Sequence, residues 1–329
     1  MRLLVFNCHE AWVHQLQALG CDLDILVGLE GHHVRGWDSR MRPLPRRARL
    51  LTLDQAVAEK RAYDCVICHS LTDLLESRPL SGPRLLVVHS SYEGRKASEG
   101  AEVPLDQLRA KIRQYLALIG GHAIAVSQLK VSDGFPSDVV NAGVEPDDYP
   151  PHSGDLAAGI RVANQIEQKR LVLAWDFHEA ALAGLPVTLI GHNPERPGVA
   201  PAADWDDLKA QLSRHRFYVH TAAPRFEDGF NMAMLEAMAA GLPVIGNRHP
   251  SSPIRHGEDG FLADEPAELR GYAERLLAEP GLAHRMGAAA RESVAERFPL
   301  SRFAAGLRAA IGQAQGNWRA AQARGHAAA

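Results

Sequence analysis

Phe226-Glu227-Asp228-Gly229-Phe230-Asn231-Met232-Ala233-Met234-Leu235-Glu236-Ala237-Met238-Ala239-Ala240-Gly241-Leu242-Pro243-Val244-Ile245 is the stretch on which the reading of this chain turns. Asp228 is a good residue type for a helix N-cap, and Gly229 permits close backbone approach. Residues 231–240 are nearly all apolar, which predicts a helix over Asn231–Ala240 buried on most sides. Gly241 follows as the residue that ends it, and Pro243 forbids continuation. The apolar run Pro243–Gly246 then reads as a strand.

The same alternation extends along the whole chain. Strands are expected at Arg2–Asn7, Leu23–Val27, Asp64–Cys68, Arg84–Val88, Ala123–Ser127 and Val139–Ala142. Helical patterns separate them at Trp12–Leu19, Thr52–Ala62 (with Thr52 or Asp54 as N-cap) and Pro104–Ile119. The second half repeats this grammar. Strands are expected at Arg161–Ala163, Val187–Gly191 and Phe217–Thr221, and helices at Leu171–Ala183, Pro266–Leu277, Leu282–Arg297 and 303–325. Strands alternating with helices predict parallel sheets built from βαβ units. The run Glu145–Pro151, rich in Pro and Asp, reads as a linker. The expected division is therefore an N-terminal Rossmann-like domain over 1–150, a C-terminal one over 151–305, and a helix over 306–329 that packs back on the first. Ligands of such sheets bind at the carboxyl ends of the strands, in a cleft between the two domains.

At 329 residues the chain is long enough for about two domains. Its hydrophobic fraction of 46% and charged fraction of 23% are those of a globular protein. A net charge of −3 leaves no global basic field for nucleic acid, so none is expected as a partner. No apolar run approaches the ~20 residues of a membrane span, and Leu3–Phe6 is too short for a signal-peptide core. Cys8, Cys21, Cys65 and Cys68 all fall in the first quarter, which is no disulfide framework. These features predict a cytoplasmic protein.

Within its buried helix Glu236 stands alone. A buried carboxylate needs hydrogen-bond donors, and sugar or ribose hydroxyls can supply them. The helix start around Gly229, Phe230 and Asn231 offers N–H groups and a positive dipole end suited to phosphate. Asp228 and Glu236 are separated by about 12 Å at helical rise, room for a diphosphate between them. Carboxylate, N–H groups and carboxylate together suit a nucleotide sugar.

Here the chain resembles the retaining GT-B glycosyltransferases of the group 1, or family 4, type. Their donor signature is Glu, seven residues, Glu, then Ala-Met-Ala-x-Gly-x-Pro-Val. Glu236-Ala237-Met238-Ala239-Ala240-Gly241-Leu242-Pro243-Val244 keeps its second half, while Asp228 replaces the first Glu and Glu227 is an alternative carboxylate. Asp259-Gly260-Phe261-Leu262, Glu279-Pro280-Gly281-Leu282, Arg285-Met286-Gly287 and Glu296-Arg297-Phe298 also match. Val140–Val144, His89 after its strand and Ser127 match at pattern level. In the family an Arg and a Lys at the start of the second domain bind the donor diphosphate. Lys169 fits the Lys position, Asn164 stands at the Arg position, and Arg161 or Arg170 are candidates to compensate. The family's Gly-rich loop after the first strand is replaced by Asn7-Cys8-His9-Glu10.

The resemblance implies a GT-B fold and metal-independent transfer of a sugar, with retention, from a UDP-sugar or GDP-sugar to a saccharide, lipid-linked or small-molecule acceptor. It implies no cofactor. Asp228 would hold the sugar hydroxyls, Glu236 the ribose, Lys169 the diphosphate, and His89 the sugar or acceptor. The alternatives are a sugar-nucleotide epimerase and a non-catalytic sugar-nucleotide-binding protein on the same fold. Cys65-x-x-Cys68 lies in a strand pattern, where residues three apart face opposite sides, and reads as two structural thiols. His9–His14 has the wrong spacing for a zinc helix. Asp22-Leu23-Asp24 mimics a metal motif but begins a strand. The irregular segment 35–49 carries Arg35, Arg40, Arg42, Arg46, Arg47 and Arg49. It is either a solvated loop or a site for an anionic acceptor or the inner face of a membrane.

Overall fold

The computed structural model describes residues 1–32, 34–99, 104–131 and 135–327. It divides into two compact units. The first comprises 1–91, 102–142 and 300–329; the second comprises 92–101 and 143–299. The divisions thus fall at 142/143 and 299/300, a few residues before the positions 150 and 305 read from the linker and the alanine-rich tail.

The first unit is built from β1 (Arg2–Phe6), α1 (Glu10–His14), β2 (Asp22–Leu26), β3 (Ala48–Leu51), α2 (Leu53–Glu59), β4 (Cys65–Cys68), α3 (Leu71–Glu76) and β5 (Arg84–Val88). After α4 (Tyr92–Glu99), which belongs to the second unit, come α5 (Leu105–Ile119), β6 (His122–Ala125) and β7 (Asp138–Val139). The sheet order is β3-β2-β1-β4-β5-β6-β7, and every pairing is parallel. Its central strands are apolar on both faces because helices cover both; Leu3, Leu4, Val5, Leu85 and Val87 have no exposure. Cys65 and Cys68 lie within β4, both buried. Thr52 is the N-cap of α2 and closes a capping box with Gln55. α3 is too short for periodicity to reveal; its signal is Ser70, whose hydroxyl caps the Asp73 N–H at 3.1 Å.

The second unit contains β8 (Leu156–Val162), α6 (Trp175–Leu182), β9 (Val187–Ile190), α7 (Trp205–Arg214), β10 (His215–Val219) and α8 (Met232–Ala239). β11 (Val244–Asn247), β12 (Gly260–Ala263), α9 (Pro266–Ala278) and α10 (Pro280–Arg297) complete it. Its sheet runs β12-β11-β10-β8-β9, again all parallel. Met234, Leu235, Ala237, Met238 and Leu242 sit in the core between this sheet and α10. α10 approaches α8 closely at Gly287, where a Cβ would lie 1.9 Å from the Gly241 carbonyl oxygen. The N-cap of α8 is Asn231, not Asp228: Asn231 Oδ1 accepts from Met234 N–H at 2.9 Å. Asp228 therefore lies in the preceding loop, and the straight-helix spacing to Glu236 does not apply. α6 starts at Trp175 because residues 165–174 form turns, with Ala174 at φ +45°.

The final helix, α11 (Leu300–Ala327), belongs to the first unit. Phe303, Leu307, Ala310, Ile311 and Ala314 are its buried stripe at helical spacing. Asn317 Nδ2 donates to Gly121 O at 3.1 Å and Gln315 Nε2 to Asp64 O at 3.1 Å.

Three of the six arginines of the segment, Arg40, Arg47 and Arg49, pair with carboxylates of their own unit. Asp24, 1% exposed at the head of β2, accepts from Arg49 at 2.8 and 2.9 Å, from Arg2 at 3.2 Å and from the Tyr63 hydroxyl at 2.9 Å. Arg47 pairs with Asp22 at 2.8 Å, Arg40 with Asp38 at 2.8 Å, and Arg49 also with Glu59 at 2.6 Å. Arg42 is buried. Among the described residues no helix is long and apolar enough to cross a membrane.

Burial alone would raise the Asp24 carboxyl, but the bonds from Arg49 and Tyr63 hold it below its ordinary range. Its contribution to stability is fully present above the unfolded value, about 3.9, and is lost as pH falls through the lower folded value. Asp24→Ala is expected to cost about 1–3 kcal/mol, reduced from a fully buried pair because Arg49 keeps contact with water. Urea unfolding of parent and variant at neutral pH and in acid checks this; equal midpoints at neutral pH would contradict it.

Candidate functional site

In the second unit the sequence-nominated residues collect beyond the carboxyl ends of three adjacent strands. Residues 163–169 follow β8, 220–231 follow β10, and 248–252 follow β11. This is the edge at which open α/β sheets take ligands.

The loop after β10 carries Glu227 and Asp228 and is held from two sides by histidines. His249 Nε2–H donates to the Glu227 carbonyl at 2.9 Å, which leaves Nδ1 to accept from Ser251 N–H and Oγ–H, both at 3.1 Å. His220 Nε2–H donates to the Asp228 carbonyl at 3.2 Å. Burial lowers His220 to about 4, with the Arg161 charge adding to the effect, so the ring is neutral at physiological pH. Gly229 N–H donates to Ser251 Oγ at 2.9 Å, and Asp228 N–H to Glu227 Oε1 at 2.9 Å. Of the N–H groups of Gly229, Phe230 and Asn231 expected to face a phosphate, that of Gly229 is thus engaged inside the protein. Gly229 is required by packing: a Cβ there would lie 2.6 Å from His249 Nδ1 and 2.7 Å from Ser252 N. Sequence reasoning missed both histidines, since neither belongs to a recognisable spacing.

Asp228 is 4% exposed and Glu236 is 8% exposed, so both expected carboxylates are buried at this edge. Glu236 lies within α8, in electrostatic reach of Tyr218. Phe230 packs toward the core beside Phe298, with ring centroids 5.4 Å apart.

Lys169 is half-buried; burial lowers its pKa, while the Glu227 carboxylate acts in the opposite direction. The structure therefore brings Lys169 and the Glu227-Asp228 loop together. The segment that carries Lys169 is stitched to the loop after β9. Asn164 Oδ1 accepts from His192 N–H at 2.8 Å, and Asn193 bridges Ile166 N–H and Ala163 O, both at 2.8 Å. Asn164 at the family's Arg position is thus exposed and tied to the backbone.

Arg161, named from the sequence as a candidate phosphate ligand, is turned into the protein. It is 2% exposed and donates to Thr221 Oγ1 at 2.7 Å and to the carbonyls of Thr221 and Leu173 at 3.2 Å. Its guanidinium lies 4.8 Å from the Trp175 ring centroid, and burial lowers its pKa to about 10. It is a tie between the loops after β8 and β10. Arg170 is engaged with Asp176, Glu179 and Glu167.

In the first unit His89 lies one residue past β5 and shares a 2.8 Å hydrogen bond with His69 Nδ1 through its Nε2. Burial lowers His69 to about 3 and His89 well below its ordinary value, with the neighbouring histidines adding to the effect. Both rings are neutral. Cys8, His69 and His89 are placed to hold a metal ion among the described residues.

Residues 188–279 match the family model described as glycosyl transferases group 1. N-acetyl-alpha-D-glucosaminyl L-malate synthase of Bacillus anthracis is 42% identical over 77 residues, which is 22% of this chain and 20% of that protein. D-inositol 3-phosphate glycosyltransferase of Streptomyces bingchenggensis (strain BCW-1) is 36% identical over 86 residues, 25% of this chain and 19% of that protein. The matched segment thus spans about a fifth of each of these relatives. The crystal structure of Anabaena Alr3699/HepE in complex with UDP and glucose has a TM-score of 0.65 at 15% identity, covering 95% of this chain and 99% of that one. This likeness shows the fold, two parallel-sheet α/β domains of the GT-B kind.

Gly229→Ala is expected to destabilise the chain by about 1–3 kcal/mol, because the ring and backbone that a Cβ would meet are themselves hydrogen-bonded. An unchanged urea midpoint would show that the loop yields at no cost.

Proposed function

We propose that this chain, whose residues 188–279 match the group 1 glycosyl transferase model, transfers a sugar from a nucleoside diphosphate sugar, UDP- or GDP-linked, to an acceptor hydroxyl with retention of configuration. The observation that carries this reading is a buried carboxylate, Glu236, held in an apolar helix at the same strand edge as Lys169. The UDP and glucose in the Anabaena crystal structure support the donor class.

Glu236, buried within α8, accepts from the ribose hydroxyls of the donor. Asp228 accepts from hydroxyls of the transferred sugar. Lys169 places its ammonium against the diphosphate. The bond between the anomeric carbon and the phosphate oxygen breaks, and charge develops on the departing diphosphate, where Lys169 stabilises it. The acceptor oxygen bonds to the anomeric carbon on the same face, and its proton passes to a departing phosphate oxygen. Atoms and charge balance without a protein nucleophile. Because Arg161 is spent on Thr221 and Leu173, Lys169 carries the cationic role alone in this scheme, and the neutral ring of His220 adds no charge.

Thermal-shift measurements with UDP-, GDP-, ADP- and TDP-sugars test the donor. A bound donor at a hundred times its Kd adds about 2.7 kcal/mol of stability. Glu236→Gln is expected to weaken donor binding about 10- to 100-fold, the loss of charge-assisted bonds. Lys169→Ala is expected to lower kcat about 10²- to 10³-fold with a smaller change in binding. NMR of the product's anomeric proton reads the stereochemistry. Parent-like binding and turnover in Glu236→Gln, or a product of inverted configuration, would overturn the scheme.

A further inference from the structure

Three adjacent strands of the first sheet, in the order β1-β4-β5, each deliver one metal-ligating side chain to the same place. Cys8 stands two residues past β1, His69 one residue past β4, and His89 one residue past β5. Neighbouring strands are about 4.8 Å apart, so side chains leaving the same edge of three of them converge only if their loops turn inward together. Here they do: Cys8 Sγ and one ring nitrogen from each imidazole all lie within 4.8 Å of one another.

Two further observations point to a ligand. His69 Nε2 is buried with no hydrogen-bond partner, an unmet polar group of the kind native proteins rarely leave. The rings are also fixed in place. Trp12 packs edge-on against His69 at 4.8 Å and His89 at 5.3 Å, and Phe303 of α11 backs it at 5.7 Å. The His69 backbone N–H donates to Asp73 Oδ2 at 2.7 Å, which anchors the loop that carries it.

We propose that Cys8, His69 and His89 form a zinc site in the first unit, with three protein ligands and a fourth position open to water or an exogenous donor. One thiolate and two uncharged imidazoles select a borderline-soft cation over magnesium or calcium. A tetrahedral ion with bonds of about 2.0–2.3 Å holds its ligand atoms about 3.3–3.7 Å apart, so no pair in the group has to close by more than about 1.5 Å. Binding displaces the Cys8 thiol proton to solvent, and the thiolate takes its place as the ion's ligand. The site departs from the metal independence implied for the transfer reaction; Cys8 and His69 have no part in that reaction, while His89 is also the residue that the family resemblance assigns to the sugar or acceptor.

Tag-free, chelator-treated full-length protein titrated with Co²⁺, followed by competition with Zn²⁺, tests the proposal. One equivalent of Co²⁺ should produce the thiolate-to-cobalt charge-transfer absorption and the intense visible bands of tetrahedral cobalt, and Zn²⁺ should abolish both. Cys8→Ser should lose the charge-transfer absorption and weaken Co²⁺ binding at least tenfold, while Cys65→Ser, within β4, should keep both. His69→Gln and His89→Gln should each lose the tetrahedral bands. Circular dichroism of each variant separates loss of the site from loss of the fold. For folded variants, an unchanged charge-transfer band in Cys8→Ser would overturn the proposal, as would parent protein that binds no Co²⁺.

Discussion

The acidic loop at the carboxyl edge of the second sheet is held in place by two imidazoles that donate to its backbone. His249 binds the Glu227 carbonyl and His220 the Asp228 carbonyl. Ser251 closes the circuit by taking the Gly229 N–H while donating to His249 Nδ1. These bonds fix the backbone of two adjacent acidic residues near a half-buried lysine, Lys169.

The same physics recurs with different partners in the first unit. There the acidic pair Asp22 and Asp24 stands at the head of a strand and gathers Arg2, Arg47 and Arg49. Arg47 and Arg49 of the arginine-rich run are thereby paired with carboxylates of their own unit, which weakens the external field of these two charges.

Histidines mark both units, and burial keeps His69 and His89 of the first and His220 of the second neutral. A neutral imidazole can donate from one nitrogen and accept or ligate with the other. In the second unit His249 uses both nitrogens within the protein. In the first unit His69 uses Nδ1 and leaves Nε2 buried without a partner. His152 and His178 in the second unit also have an unpartnered buried Nδ1, so what sets His69 apart is its convergence with Cys8 and His89.

The fold class was legible from the sequence because parallel strands are apolar on both faces and βα loops end in Gly, Pro or a capping residue; β1, β5, α5 and α8 follow directly from that pattern. The short helix α3 and the turns before α6 were not legible, since one helical turn has no period to detect. Of the site, Glu236 and Lys169 could be named from spacing, because one lonely carboxylate in an apolar helix and one fixed offset in a family pattern are local signals. The role of Asn231 rather than Asp228 as the cap, the burial of Arg161 against Thr221, and the convergence of Cys8, His69 and His89 could not be read in this way. Each depends on where strands from distant parts of the chain end, and that is set by register and packing rather than by any neighbouring residue.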